Sequence, residues 1–310
     1  MSSYLSFRIF KGLLVVVLIS IVTFAIMRLI PGDPVQLLLG EGSVPISQEQ
    51  IAAIRAKWGL DLPLHEQYLV WASNLLRGDF GTSLMRTGVP VRQMIFEAIP
   101  VTGLLNLFAV TLAIVFAVPM GIAAAVRRNS WVDYSTNVIS ALGIATPNFW
   151  LALMLIVVFA LYLRWLPPFG LRSWTGYILP VLVIATEEMA VLMRITRGAV
   201  LELLPQDFVR TARSKGLSER AVLYRHVVSN TLLPVITVIG FRIAFILSGT
   251  IIVETVFALP GIGRLFVDSV LRLDYQVVQS LVVVFAVLVV VVNLITDFVY
   301  ALVDPRVRIS

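Results

Sequence analysis

The stretch QDFVRTARSKGLSERAVLYRHVVSNTLLP, from Gln206 to Pro234, is a strongly charged segment in an otherwise apolar chain. It carries seven charged residues, whereas long hydrophobic runs lie on both sides of it. Pro205 suits the first position of a helix, Gly216 interrupts that helix, and Ser218 can cap another. Glycine at this point suits a left-handed turn that a larger residue resists. The stretch is therefore predicted to form a helix, a tight turn and a second helix between two hydrophobic segments.

The composition of the whole chain indicates a membrane protein. Of its 310 residues 59% are hydrophobic and 14% charged, and the mean hydropathy of +0.94 is too high for a soluble domain. The chain has no cysteine and only two histidines, far apart, so no metal site is expected. None of its three lysines stands in a phosphate-binding loop motif. If the protein uses ATP, another chain must bind it.

Six stretches approach the length of about 20 apolar residues that a spanning helix needs. The first runs roughly from Gly12 to Ile30, the second lies in the charge-free interval between Glu97 and Arg127, and the third lies between Asp133 and Arg164. The others run from about Trp174 to Met193, Thr231 to Ala258 and Val277 to Ala301. The first could instead be a signal peptide, but its exit, LIPGDP, lacks a small-x-small cleavage site. The predicted fold is all-α, a polytopic membrane protein with about six transmembrane helices.

The spans divide the chain into three parts. Residues 1–30 form an N-terminal tail and the first span, residues 31–97 an extracytoplasmic loop, and residues 98–310 a core with five spans. The charged loop, about residues 205–230, lies between spans four and five of this core. In the outer loop, Ser47 predicts the start of one short amphipathic helix and Pro63 the start of another. Packing against the spans is the expected role of both helices.

The distribution of basic residues predicts the orientation of the chain. With the N-terminus inside, the inner segments hold thirteen Lys and Arg residues and the short outer loops hold four. Because short cytoplasmic loops are enriched in basic residues, both termini and the charged loop are predicted to face the cytoplasm. This asymmetry explains the net charge of +6 without a nucleic-acid partner.

Three interpretations of the charged loop remain open on its residues alone. A solvated basic loop near anionic lipid explains the charge but not the helix-turn-helix pattern. A DNA-binding helix-turn-helix is disfavoured because the element is fused between spans. The third interpretation is a docking element for a cytoplasmic partner.

Six motifs, in order along nearly the whole chain, resemble those of one family. QDFVRTARSKGL resembles the cytoplasmic signature of binding-protein-dependent ABC transporter permeases, in their peptide/nickel branch. The branch also has counterparts of PGDP at 31–34, WGLDLPLHEQY at 58–68, GDFGTS at 78–83, ETVFALPGIGRL at 254–265 and YALVDPRVR at 300–308. The resemblance favours the docking interpretation.

The resemblance implies a permease subunit of an ATP-driven importer in the bacterial inner membrane, for peptides or peptide-like solutes. It implies a second homologous permease subunit, two ABC ATPase subunits that use ATP and Mg, and an extracytoplasmic substrate-binding protein. The chain itself is then no enzyme and holds no cofactor. The expected ATPase-coupling residues are Asp207, Arg210, Thr211, Ala212, Lys215, Gly216 and Glu219. The branch handles dipeptides, oligopeptides, glutathione and nickel, and the sequence does not choose among them.

Ionisable residues inside the predicted spans are candidates for the substrate path. Glu187, Glu188 and Arg242 cost several kcal/mol there unless they are paired or hydrated. They either pair to hold spans four and five together or line the path. Pro147 and Asn148 are further path candidates, because Pro147 is expected to kink span three.

An ion-gradient-driven secondary transporter that uses the two glutamates is the alternative function. An intramembrane protease is disfavoured because no catalytic pair lies within the spans.

We expect single cysteines to report the predicted orientation directly, because the chain has none of its own. In intact cells an impermeant thiol reagent should label Gln67→Cys. Arg128→Cys and Lys215→Cys should react only after the membrane is opened. Labelling of Lys215→Cys from outside intact cells contradicts the predicted topology.

Overall fold

The computed structural model describes residues 2–29, 61–86 and 88–303, and this part of the chain is helical apart from its connections and one isolated β-bridge. The α-helices are α1 (Ser2–Leu29), α2 (Leu64–Leu76), α3 (Val91–Val126), α4 (Trp131–Ala145), α5 (Asn148–Leu155), α6 (Ile178–Leu203), α7 (Asp207–Ser214), α8 (Glu219–Ala221), α9 (Ser229–Val256), α10 (Ile262–Leu271) and α11 (Tyr275–Val303). Two π-helical segments, Ile156–Tyr162 and Val222–Val228, and a 3₁₀ turn, Trp174–Tyr177, complete them. The predicted all-α class is confirmed.

Several helices are long and apolar enough to cross a membrane. Four such stretches lie within the described residues, namely Ser6–Leu29, Val91–Val126, Glu219–Gly240 and Tyr275–Phe298, and a fifth results if α4 and the helix from Asn148 to Tyr162 form one broken span. α6 overlaps the fourth predicted span but carries Glu187, Glu188 and Arg194. Composition alone therefore does not mark α6 as a span. The total of six remains a prediction.

The described residues form two compact units. One comprises residues 101–263 and those from 291 onward, and the other comprises residues of 2–100 and 264–290. The division into 1–30, 31–97 and 98–310 remains a sequence-based prediction. The helix predicted after Ser47 and the C-terminal residues 304–310 lie outside the described part of the chain.

The core of the first unit is built around α6. Its N-terminal half buries Leu179 and Val183 against side chains of α3, α5 and the end of α9, among them Leu105, Ala152 and Phe257. The contact between α4 and α6 is close, because a Cβ at Gly143 would come within 2.7 Å of the Ala190 Cβ. Small residues allow such approach between membrane helices. α6 is therefore the helix on which its neighbours pack.

The third predicted span is broken in two. The axes of α4 and the helix that follows it differ by 101°, which is much more than a kink. Thr146 adopts an extended conformation because the ring of Pro147 disfavours a helical residue before it. Pro147 then precedes the first residue of α5, where its missing N–H costs no hydrogen bond.

The second unit contains the helix predicted from Pro63. Pro63 lies at the N-cap of α2, and Tyr68 and Trp71 on α2 contact Phe24 of α1, with ring centroids 5.5 and 6.0 Å apart. The hydroxyls of Ser20 and Tyr68 are 2.9 Å apart. The expected packing of this helix against a span is confirmed.

A buried carboxylate also organises the second unit. Asp274, between α10 and α11, is 2% exposed. It accepts hydrogen bonds from the Ser83 hydroxyl at 2.5 Å and from the backbone N–H groups of Leu84 and Met85 at 3.1 and 3.3 Å. Because a buried carboxylate needs such partners, Asp274 holds the loop before α3 against the start of α11.

Candidate functional site

The charged loop folds as the sequence predicts, into a helix, a tight turn and a second helical segment. α7 ends in a Schellman motif, in which the N–H of Gly216 donates to Arg213 O at 2.9 Å and that of Leu217 to Ala212 O at 3.4 Å. Gly216 has φ +77°, the left-handed conformation that glycine adopts without strain. The Ser218 hydroxyl then accepts from the N–H of Ala221 and caps α8. We call residues 206–221 the docking element.

One face of the docking element is buried against its own chain. Val209 and Ala212 of α7 are 0% and 5% exposed. They pack in a cluster with Ala125 of α3, Val200 of α6, and Val222 and Val227 of the π-helical segment. We call this set the docking cluster. It connects α7 to the ends of α3 and α6 and to the start of α9.

The opposite face of the docking element is exposed and mostly polar. It presents Asp207, Arg210, Thr211 and Lys215. Arg213 and Glu219 form two hydrogen bonds across the turn, at 2.8 and 3.1 Å. These bonds and the charge of Glu219 raise the pKa of the Arg213 guanidinium despite its slight desolvation. Six of the seven predicted coupling residues are therefore exposed, whereas Ala212 contacts its own chain.

A further ion pair lies between α4 and α6. Arg197 on α6 donates two hydrogen bonds, from Nε and Nη2, to the Asp133 carboxylate on α4, at 2.5 and 2.9 Å. Asp133 is 2% exposed and also accepts from the N–H of Asn129 and from Asn137. Sequence analysis did not single out this pair. Its only signal was one acidic and one basic residue near the predicted inner ends of two successive spans.

The structure brings four of the five predicted path residues into one network. Arg242 on α9 donates from Nε and Nη2 to both carboxylate oxygens of Glu188, at 2.9 Å each, and from Nη2 to Glu187, also at 2.9 Å. The second oxygen of Glu187 accepts from the Asn148 amide at 2.9 Å. Pro147 lies next to Asn148, at the break between α4 and α5. We call the four hydrogen-bonded residues the intramembrane network.

The two glutamates of the intramembrane network differ in exposure. The Glu188 side chain is 8% exposed and that of Glu187 37%. Glu188 is thus a buried partner of Arg242 with both oxygens engaged, which matches the pairing interpretation. Glu187 is held at one oxygen by Arg242 and at the other by Asn148, yet it keeps more than a third of its surface accessible. Of the two carboxylates, Glu187 is the more accessible.

A buried glutamate to which sequence analysis assigned no role lies near the C-terminal end of α9. Glu254 is 0% exposed and accepts a 2.5 Å hydrogen bond from the Thr102 hydroxyl on α3. The Thr102 hydroxyl in turn accepts from the N–H of Ile262 at 2.9 Å. Gly261 packs directly on the Glu254 carboxylate. These contacts hold the LPGIG segment, residues 259–263, to both α3 and α9.

Comparison with protein families covers almost the whole chain. The family described as binding-protein-dependent transport system inner membrane component matches residues 117–309, and the corresponding N-terminal membrane component family matches residues 1–102. The oligopeptide transport system permease protein AppB of Bacillus subtilis (strain 168) is 42% identical over 318 residues, covering 99% of this chain and 100% of AppB. The glutathione transport system permease protein GsiC of Salmonella choleraesuis (strain SC-B67) is 37% identical over 308 residues, covering 99% of each chain.

Solved structures with the same fold include an ABC transporter. A chain of the MetNI methionine ABC transporter, solved in inward-facing conformations, matches with a TM-score of 0.58 and 15% identity. The match covers 68% of this chain and 97% of that chain. At this identity the likeness shows the fold alone.

We expect Gly261→Ala to destabilise the protein, because its methyl group would collide with the Glu254 carboxylate. Overpacking of this kind costs about 1–3 kcal/mol, so the thermal unfolding midpoint in detergent should fall. Gly198→Ala is the matched control, since its Cβ meets nothing within 4 Å on α6. Equal thermal unfolding midpoints for the two variants would contradict the close packing of the LPGIG segment against the Glu254 carboxylate.

Proposed function

This chain belongs to the family of binding-protein-dependent transport system inner membrane components, and we propose that it is the permease subunit of an ATP-driven importer of peptides or peptide-like solutes. The named relatives transport oligopeptides and glutathione, which is itself a small peptide. Family membership favours this function over a transporter driven by an ion gradient. It also gives the chain a multi-pass place in the membrane. The distribution of basic residues supports the proposed orientation, with the docking element and both termini in the cytoplasm.

The observation that carries the coupling role is the two-sided docking element. Its exposed face offers charged and polar groups to a partner, while Val209 and Ala212 hold its other face against three helical segments of the same chain. A helix held in this way transmits a push instead of yielding to it, because packed interiors deform little. ATPase subunits that bind this face therefore act on the membrane helices through the docking cluster.

The complete transporter then contains more than this chain. Two ATPase subunits bind ATP and Mg and carry out the hydrolysis, and a second homologous permease subunit forms the other half of the path. An extracytoplasmic binding protein delivers the solute. Residues Asp207, Arg210, Thr211, Lys215, Gly216 and Glu219 belong to the ATPase-coupling surface, whereas Ala212 supports that surface from behind.

The proposed motion reaches the path through two helices. α6 carries Val200 of the docking cluster as well as both glutamates of the intramembrane network. α9 carries Arg242 and continues directly from the π-helical segment that contributes Val222 and Val227. Closure of the ATPases moves the docking element, and α6 and α9 carry this rigid-body motion to the network.

The intramembrane network belongs to the solute path in this proposal. Asn148 lies just after a break between helices, and broken helices form the binding sites of many transporters. Glu187 stays partly accessible beside it. An ionisable group inside a span is stabilised by a partner or by water, so its accessible surface marks a polar route between the helices.

We expect Gly216→Val to insert normally but to stop transport. A β-branched residue at φ +77° costs about 1–2 kcal/mol or more and shifts the turn that aligns α7 with α8. The measurements are membrane insertion, copurification of the ATPase subunits, ATP hydrolysis stimulated by loaded binding protein, and peptide uptake.

The matched control for this experiment is Gly78→Val. Gly78 has φ +78° and open space around its Cβ position, but it follows α2 in the second unit. The Gly78→Val substitution imposes the same local strain at a position far from the docking element in sequence, and it should leave ATPase coupling intact. Normal uptake by Gly216→Val would contradict the coupling role and would show that residues 206–221 are only a solvated loop that sets the topology.

We expect the two glutamates to respond differently to replacement by glutamine. Glu187→Gln should alter solute preference or uptake while the protein remains in the membrane, because Glu187 is the accessible member of the pair. Glu188→Gln removes the charge from the buried partner of Arg242, which costs about 3 kcal/mol or more, and should lower the amount of assembled protein. Uptake kinetics and the quantity of membrane-inserted protein separate these effects. Loss of the protein with both variants would assign the network to structure alone.

A further inference from the structure

The π-helical segment Val222–Val228 joins the docking element to α9. Its two fully buried side chains, Val222 and Val227, are 1% and 0% exposed and both lie in the docking cluster. They are five residues apart. In an α-helix, residues five apart point about 140° away from each other. Only the wider turn of a π-helix, with its i→i+5 hydrogen bonds, lets both valines face the cluster.

The residues between the two valines explain why the wider turn is favoured in this state. An α-helical turn after Val222 would direct Arg225 or His226 toward the docking cluster, at i+3 or i+4. In the π-helical turn Arg225 and Tyr224 are exposed instead. Burial of a charged side chain among aliphatic groups is unfavourable. The π-helical turn contains one residue more than an α-helical turn and therefore keeps Arg225 and His226 out of the docking cluster.

Side chains that follow the segment bind its carbonyl groups. The Ser229 hydroxyl donates to Tyr224 O at 3.3 Å, the Asn230 amide to His226 O at 2.5 Å, and the Thr231 hydroxyl to Val227 O at 2.9 Å. Three successive polar side chains therefore give these carbonyls donors besides the backbone N–H groups. When the backbone changes between i→i+5 and i→i+4 hydrogen bonds, these side chains can continue to donate to the carbonyls. Fewer carbonyls then lose every hydrogen-bond partner than in a helix without such side chains.

Pro234 gives the following turn of α9 further freedom. Proline has no N–H, so Asn230 O lacks its usual donor four residues on. The helix from the docking element to Pro234 is consequently held by fewer backbone bonds than a regular helix of the same length.

We propose that Val222–Val228 is a register-exchange joint, which converts between π- and α-helical pairing during the transport cycle. In the π-helical state Val227 is locked in the docking cluster and the docking element is fixed to α9. In the α-helical state Val227 leaves the cluster and the docking element moves relative to α9 without a break in the helix. This inference rests on the proposed coupling function, which supplies the force for the exchange.

The accessibility of residue 227 tests the joint directly. Val227→Cys would be introduced into the cysteine-free chain, assembled with its ATPase subunits and binding protein in lipid vesicles, and treated with a water-soluble maleimide. Labelling is compared without nucleotide and after trapping with ATP and vanadate. We expect the two states to differ by about tenfold in labelling rate, because local opening exposes the thiol in only one of them.

Val200→Cys is the matched control for this measurement. Val200 is equally buried in the docking cluster but lies on α6, outside the joint. Its labelling should be slow in both states. An equal rise in labelling rate at positions 200 and 227 would mean that the whole docking cluster loosens. No change in labelling rate at position 227 would mean that the turn is rigid. Either result would contradict the proposed joint.

A one-residue deletion tests whether the extra residue is needed. Removing the exposed Tyr224 places Val227 four residues after Val222, so both valines face the docking cluster in an ordinary α-helix. We expect the variant to bind the ATPase subunits and hydrolyse ATP while uptake falls at least about tenfold, since rigid packing cannot follow the ATPase motion. Tyr224→Ala keeps the spacing and should transport normally.

Full uptake by the deletion variant would contradict the proposed register-exchange joint but not the proposed function. If the deletion variant fails to insert, the labelling of Val227→Cys decides alone. Failure of the unaltered chain to bind ATPase subunits at all would instead contradict the proposed function.

Discussion

The absence of water in the hydrocarbon layer is the constraint on which this structure depends. Backbone amides and carbonyls there must find partners within the chain, and a helix satisfies almost all of them locally. Two departures from regular helix in the described part of the chain show how side chains compensate for altered backbone pairing. At the break between α4 and α5, Pro147 has no N–H to satisfy, and the Asn148 side chain binds Glu187. In the π-helical turn before α9, three side chains supply additional donors.

The same constraint explains how ionisable groups are treated. Glu188 and Arg242 satisfy each other through two hydrogen bonds. Glu254, which is fully buried, accepts a hydrogen bond from the Thr102 hydroxyl. Asp133 and Arg197 pair at the end of the unit near the docking element, where Arg197 keeps part of its surface exposed. Loss or displacement of one partner would leave a buried charge unsatisfied, which is strongly destabilising.

Local sequence chemistry predicted those parts of the molecule that depend on neighbouring residues. Gly216 and Ser218 specified the turn and cap of the docking element, and Pro63 specified the start of α2. The pairing of Arg242 with the glutamates was also one of two stated possibilities, because unpaired charges inside spans are rare.

The missed features depend on contacts between distant segments. Asp133 and Arg197 are 64 positions apart, and Thr102 and Glu254 are 152 apart. No local pattern links such residues in a single sequence. The π-helical turn at Val222 was missed for a related reason: its spacing becomes meaningful only once Val200 and Val209 define a surface for both valines to face.

The two faces of the docking element have different chemistry, and this has a consequence for how such transporters diversify. The inner face uses small aliphatic side chains, Val209 and Ala212, whereas the outer face presents charged and polar groups. Substitutions of exposed side chains such as Asp207, Arg210 and Lys215 can therefore accumulate without disturbing the docking cluster behind them. If ATPase subunits bind this face, as proposed above, a chimera that exchanges only its exposed residues would change the ATPase partner and keep the packing of the membrane helices.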